Sequence, residues 1–141
     1  MDTPTRFIII DDDKLNNKIC TVTLEKICHN TEIRSFTDAS KGLEYIMSEY
    51  PQTNYSVPTV LLLDLLMPVM DGWEFLDAFR RLDPAIKNQI RIYILSSSED
   101  RRDMERADAD VNVASYLVKP LNRYVVEMIT GGLKQGGELA H

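Results

Sequence analysis

Apolar residues are distributed along this chain in two ways. Short continuous runs, Phe7-Ile8-Ile9-Ile10, Val60-Leu61-Leu62-Leu63, Ile92-Tyr93-Ile94-Leu95 and Tyr116-Leu117-Val118, alternate with longer stretches where apolar residues return every three or four positions. The run Val60 to Leu63 does not alternate, as expected of a strand buried on both faces of a parallel sheet. Glu32-Ile33-Arg34-Ser35-Phe36 does alternate and predicts a short strand. The helical stretches follow the strands. The first runs from about Lys14 to Cys28 with Leu15, Ile19, Val22 and Ile27 inward, widened by Leu24 and Cys28. The second is capped by Thr37 or Asp38 and turns Ala39, Leu43, Ile46 and Tyr50 inward. Pro51 to Pro58 is a loop. Trp73 to Leu82 forms the third helix, with Phe75, Leu76 and Phe79 inward; Asp83-Pro84 ends it, and the chain loops to a strand at Ile90 to Leu95. The fourth helix, Glu99 to about Asp110, is highly charged, with Met104 and Ala107 alone as burial candidates, and is predicted to be the most mobile. A strand at Ser115 to Val118 and a helix capped by Asn122, with Val125, Val126, Ile129 and Leu133 inward, complete the pattern. Gly131-Gly132 and Gly136-Gly137 mark its fraying end.

Five strand-helix units predict a doubly wound α/β fold: a five-stranded parallel sheet of flavodoxin-like order 2-1-3-4-5, with helices on both faces. That order sets strands one and three side by side, and ligands bind such sheets at the carboxyl ends of the strands. Each long run ends there in a group able to do chemistry: Asp11-Asp12-Asp13, Asp64, Ser96-Ser97-Ser98 and Lys119-Pro120. Asp11, Asp12 and Asp64 crowded together repel one another, by roughly 4 kcal/mol for two charges 4 Å apart at an effective dielectric near 20. A hard divalent cation relieves this, and magnesium suits one or two carboxylates with waters and phosphate oxygens. An ionised aspartate can act as a nucleophile and become an acyl phosphate. Lys119 and Ser96 are placed to bind the phosphoryl oxygens. Singly, these are ordinary features, since Asp runs cap helices and Lys-Pro makes turns; their joint placement after four strands carries the reading.

Composition narrows the partners. A net charge of −6 and a pI near 4.9 argue against nucleic acid. No apolar stretch reaches membrane-spanning length, and Met1-Asp2-Thr3-Pro4-Thr5 lacks a signal-peptide pattern, so the expected setting is cytoplasmic. Cys20 and Cys28 lie two helical turns apart, about 12 Å, too far for a disulfide. His29 and His141 suggest no zinc site, and Gly131 to Gly137 reads as a helix end rather than a phosphate loop.

Ile10-Asp11-Asp12-Asp13, Leu63-Asp64-x-x-Met67-Pro68-x-Met70-Asp71-Gly72, Ser96 and Tyr116-Leu117-Val118-Lys119-Pro120 together resemble the receiver domains of two-component response regulators, the stand-alone chemotaxis-regulator-like kind included. The resemblance spans about Arg6 to Lys134, so the expectation is one receiver domain over residues 1–141 without an output domain. It implies that Asp64 is the phospho-acceptor, loaded from a histidine kinase or phosphotransfer protein. It implies magnesium held by Asp12, Asp64 and the backbone carbonyl of Leu66, with Asp11 in support. Ser96 matches the switch hydroxyl, Tyr116 the aromatic that moves with it, and Lys119 the lysine whose bond to the following proline is usually cis. Asn16 is similar to a residue of receivers that work with hybrid kinases and phosphotransfer proteins. The expected output is a protein contact, to an unidentified target or a second copy, through the fourth helix, fifth strand and last helix, including Arg101, Arg102, Tyr116, Arg123 and Tyr124. A relay intermediate passing phosphate onward is the alternative. A dedicated enzyme is not expected: a hydrolase of the haloacid dehalogenase type needs a second Asp where Leu66 stands. A pseudo-receiver is disfavoured by the complete set Asp11, Asp12, Asp64, Ser96 and Lys119. Two departures from the pattern are Leu66, two past Asp64, and Ser98, two past Ser96, which border the path of the hydrolytic water.

Overall fold

In a computed structural model, which describes residues 3–50 and 56–131, the apolar runs form one sheet of five parallel strands. The elements are β1 (Arg6–Ile10), α1 (Lys14–Ile27), β2 (Glu32–Phe36), α2 (Ala39–Glu49), β3 (Thr59–Leu63), α3 (Gly72–Arg80), α4 (Pro84–Lys87), β4 (Ile90–Ser96), α5 (Arg101–Asp108), β5 (Val113–Val118) and α6 (Arg123–Thr130). The strand order is β2-β1-β3-β4-β5, as the alternation of elements predicts. Residues 51–55, Gly132, Leu133, Lys134, Gly136, Gly137 and His141 lie outside the described residues. No helix among the described residues is long and apolar enough to cross a membrane.

Because successive strand side chains point to opposite faces, each apolar run feeds two cores. Ile8, Ile10, Leu61, Leu63, Ile92 and Ile94 pack against Ile46 of α2, Phe75, Leu76 and Phe79 of α3, and Ala107 of α5. Phe7, Ile9, Val60, Leu62, Tyr93 and Leu95 pack against Cys20 and Leu24 of α1 and Val126 and Ile129 of α6. The register sets Ile10 beside Leu63, and Leu63 beside Ile94, so the residues that follow emerge along one edge.

Three readings change. First, the inward face of α1 is Asn16, Asn17, Cys20 and Leu24; Leu15 is 67% exposed and Ile19 40%. The apolar stripe lost to two amides. Asn17 Nδ2 donates to the backbone carbonyl of Asp11 at 2.9 Å, and Asn16 Nδ2 to the Asp11 carboxylate at 2.8 Å. These bonds set the helix rotation. Second, the connection from Asp83 to Ile90 contains α4, where Asp83 caps with an acceptor for Ala85 N–H and Pro84 takes the first helical turn. Third, several ends move: α3 begins at Gly72 and α5 spans Arg101–Asp108, with Ala107 its one buried residue, while β5 begins at Val113. Gly131 closes α6 at φ 77°, a left-handed cap that glycine adopts without strain.

Candidate functional site

The site occupies the carboxyl edge of β1, β3, β4 and β5. Asp11 follows β1 and is 1% exposed. Its Oδ1 accepts the Asp13 N–H at 2.9 Å, and its Oδ2 accepts Asn16 Nδ2 at 2.8 Å and Lys119 Nζ at 2.7 Å. Asp12 is exposed. Asp13 caps α1, accepting from the N–H groups of Leu15 and Asn16. Asp64 follows β3 and is buried, with its Oδ1 3.8 Å from Lys119 Nζ. Asp11, Asp12 and Asp64 each offer one oxygen, and these lie within 4.8 Å of one another. Burial, reinforced by the charge of Asp11, pushes the Asp64 carboxyl up to about 6 against the pull of Lys119. Burial works against the charge of Lys119, yet its hydrogen bond to Asp11 and the carboxylates around it raise its pKa overall. Hard oxygen donors with surplus negative charge are what a magnesium-like ion requires, so the residues present fit a divalent cation.

The loop after Asp64 is built to hold it. Gly72 donates its N–H to the Leu65 carbonyl, and a Cβ there would meet the Asp64 carbonyl oxygen at 2.5 Å. Asp71 caps α3 in a reciprocal pair with Glu74. Leu66 is 69% exposed at this rim. Val69, fully exposed, holds φ at 68°, a left-handed conformation that costs a β-branched residue about 1–3 kcal/mol. Trp73, in the first turn of α3, carries the Arg106 guanidinium of α5 over its ring at 4.2 Å.

On the opposite side, Ser96 is buried at the end of β4. Its Oγ accepts the Ser98 N–H at 3.1 Å, and its carbonyl accepts the Lys119 N–H at 2.9 Å. The Lys119-Pro120 bond is cis, as the resemblance implied. Tyr116, half-buried on β5, donates its hydroxyl to the Ser98 carbonyl at 2.8 Å. Ser98 Oγ donates to Asp103 and accepts from Asp100 N–H, so it belongs to the start of α5. Arg101, Arg102, Arg123 and Tyr124 are exposed on α5 and α6.

A family model described as the response regulator receiver domain matches residues 7–129. The chain belongs to that family. Among solved structures it is similar to a response regulator receiver protein from Dyadobacter fermentans, at 30% identity and a TM-score of 0.78 over 88% of this chain and 93% of that one. It is similar to a two-component response regulator from Cytophaga hutchinsonii, at 26% identity and a TM-score of 0.81 over 94% and 97%. It also resembles the phosphorylated cyanobacterial phytochrome response regulator RcpA, at 25% identity and a TM-score of 0.70 over 91% and 90%. This is therefore a receiver domain, a module of phosphorylation-based signalling between a kinase or phosphotransfer protein and a downstream target.

The structure brings Asp11, Asp12 and Asp64 together, sets Lys119 beside Asp11 and Asp64, and bonds Ser96 to Lys119 through the backbone, while Arg101, Arg102, Arg123 and Tyr124 lie apart on α5 and α6. The residue pattern did not disclose the structural work of Asn16, Asn17 and Gly72. The signal for the asparagines was present: two adjacent amides in the first turn of a helix, one residue after an apolar position.

Proposed function

We propose that Asp64 accepts the phosphoryl group and that the α5, β5 and α6 surface reads it out. The observation that carries this is the convergence of three carboxylates within 4.8 Å, with the Lys119 ammonium 3.8 Å from Asp64. In this reading a phosphohistidine of a histidine kinase or phosphotransfer protein is the donor. An Asp64 carboxylate oxygen attacks phosphorus, the phosphorus–nitrogen bond breaks, and the imidazole leaves with the electron pair. Asp12, Asp64 and the Leu66 carbonyl would hold Mg2+, with Asp11 contributing charge; when bound, the ion screens the anionic nucleophile from the anionic donor. Lys119 binds a phosphoryl oxygen. The Ser96 hydroxyl turns to donate to a phosphoryl oxygen and in doing so gives up accepting from Ser98 N–H, which frees the Ser98 carbonyl partner of Tyr116 to move. Only in the phosphorylated state does the Ser96 hydroxyl gain a strong acceptor and Lys119 trade the Asp11 carboxylate for a phosphoryl oxygen, the differential affinity a two-state switch requires. Output then runs through Arg101, Arg102, Tyr116, Arg123 and Tyr124, to a target protein or a second copy. In this reading the chain works in the cytoplasm, on the side where it meets a phosphohistidine donor.

The test is incubation with a small acyl phosphate and Mg2+, read by intact mass. One phosphoryl group should add to the wild type, none in a chelator, and none to Asp64→Asn. Modification of Asp64→Asn at the wild-type level would remove Asp64 as the acceptor.

A further inference from the structure

We propose that Asn16 is a positioning residue for phosphoryl transfer: its side-chain amide holds the Asp11 carboxylate so that Lys119 can leave it for the phosphoryl group. The inference rests on Asp64 being the acceptor. Asp11 is buried, and a buried carboxylate oxygen that loses its donor is costly. Its donors differ in kind. The Asp13 N–H and the Asn16 amide are fixed to the turn and the first turn of α1, while Lys119 reaches in on a flexible stem. Lys119 Nζ lies 2.7 Å from Asp11 Oδ2 and 3.8 Å from Asp64 Oδ1, so in the unphosphorylated protein it belongs to Asp11.

Phosphorylation reverses that balance by bringing doubly charged oxygens to Asp64. Without Asn16, the departure of Lys119 would leave Asp11 Oδ2 without its charge-assisted donor in a site 1% exposed. With Asn16 the same oxygen keeps a 2.8 Å bond from a neutral donor. The neutrality matters. A second cation there would compete with Lys119 for the phosphoryl oxygens, and a carboxylate would add to the repulsion among Asp11, Asp12 and Asp64.

Burial supports the assignment independently. Asn16 is 7% exposed beside Cys20 Sγ at 3.7 Å, while its neighbour Leu15 is 67% exposed. Burying Leu15 and Ile19 instead would take a different rotation of α1. The helix is docked by its amides, and the bond made by Asn16 ends on the group that holds Lys119.

The experiment uses the full chain, a small acyl phosphate and saturating Mg2+. Asn16→Leu and Asn16→Ala delete the donor, Asn16→Gln keeps an amide, and thermal unfolding monitors folding in each. In whichever of the Leu and Ala variants folds, the maximal rate should fall at least about five-fold, as expected for losing a bond to a charged group. The Mg2+ and donor concentrations at half-maximal rate should stay near wild type, and Asn16→Gln should recover most of the rate. In a Lys119→Gln background the donor deletion should slow the reaction no further. A wild-type maximal rate in the donor-deleted chains, an undiminished effect in the Lys119→Gln background, or an Asn16→Gln rate as low as that of Asn16→Leu would each overturn the proposal. Phosphorylation of Asp64→Asn would instead overturn the acceptor assignment, and the proposal with it.

Discussion

The two sides of the receiver site are held by different means. On the β1 and β3 side, Asp11 is gripped by three donors, Asn17 ties its backbone to α1, and Gly72 packs directly against the Asp64 carbonyl. On the β4 and β5 side, Ser96 and Tyr116 are linked through single bonds to Ser98, and α5 buries only Ala107. The first arrangement fixes carboxylates that would otherwise repel one another apart. The second leaves a helix whose attachment can change for the gain of one or two hydrogen bonds. On the proposed reading, a phosphoryl group between them meets a rigid acceptor and a compliant reader, and local stability is expected to differ in the same sense.

The comparison is open to attack first at its electrostatic centre. With Asp64 pushed up to about 6 from the ordinary 3.8, its folded carboxyl keeps a proton that the unfolded chain has released. Its contribution to stability is therefore full below about 3.8 and is lost as pH rises through about 6, by up to about 3 kcal/mol. Urea unfolding of the metal-free protein from about pH 3.5 to about pH 7, on either side of 3.8 and about 6, compared with Asp64→Asn, measures it. Parallel curves for the two proteins would show that Asp64 carries no such strain, and added Mg2+ should flatten the wild-type dependence.

The packing of the rigid side gives the next effect. Gly72→Ala sets a Cβ against the backbone oxygen of Asp64 and 2.9 Å from the Leu65 Cα, neither of which can rotate away. A loss of about 1–3 kcal/mol is expected from chemical unfolding. Wild-type stability in this variant would mean that the Asp64 loop is as compliant as the reader. On the reader side, Tyr116→Phe removes one half-buried hydrogen bond to Ser98 and should lower stability by about 1 kcal/mol or less. Its sharper readout is amide exchange: residues of α5 should exchange faster than those of α1 in the wild type, and the variant should widen that gap.

The smallest effect concerns lifetime. Leu66, exposed at the rim, offers no hydrogen bond to a hydrolytic water, and Ser98 is engaged with Asp103 and Asp100. Leu66→Asn should speed phosphate loss by up to about ten-fold, one well-placed hydrogen bond, with Ser98→Glu following in the same direction. Unchanged decay in both variants would mean that the backbone orients the water without help from either position.

The groups after β1, β3 and β4 were legible because the run before each is apolar on both faces and buried, whereas Lys119 follows the partly buried edge strand β5. The sheet order followed from handedness. Helices α2, α3 and α6 present the described apolar residues expected of them, since their sequences contain no competing buried polar group. The alternating strand Glu32–Phe36 was legible too. Helix α1 was legible only in part: its apolar spacing pointed to Leu15, Ile19, Val22 and Ile27, widened by Leu24 and Cys28, and while Leu24 is buried and Ile27 and Cys28 pack against the core, Leu15 and Ile19 are exposed. The short helix at Pro84–Lys87 carried its own signature in Asp83-Pro84, which serves equally to end one helix and to begin another.

By itself, the sequence determined the periodicity of each element, the identity of the groups at the strand ends and the family to which their spacing belongs. These are local properties, set by side-chain burial over a few residues. Only the tertiary structure decided how α1 is rotated, that Lys119 rests on Asp11 rather than on Asp64, and that Gly72 must be bare because the Asp64 carbonyl lies against it. Those outcomes come from competition between groups far apart in the chain. There, a single hydrogen bond to a buried charge can outweigh an exposed leucine, and no local pattern records the distance at which the competitors meet.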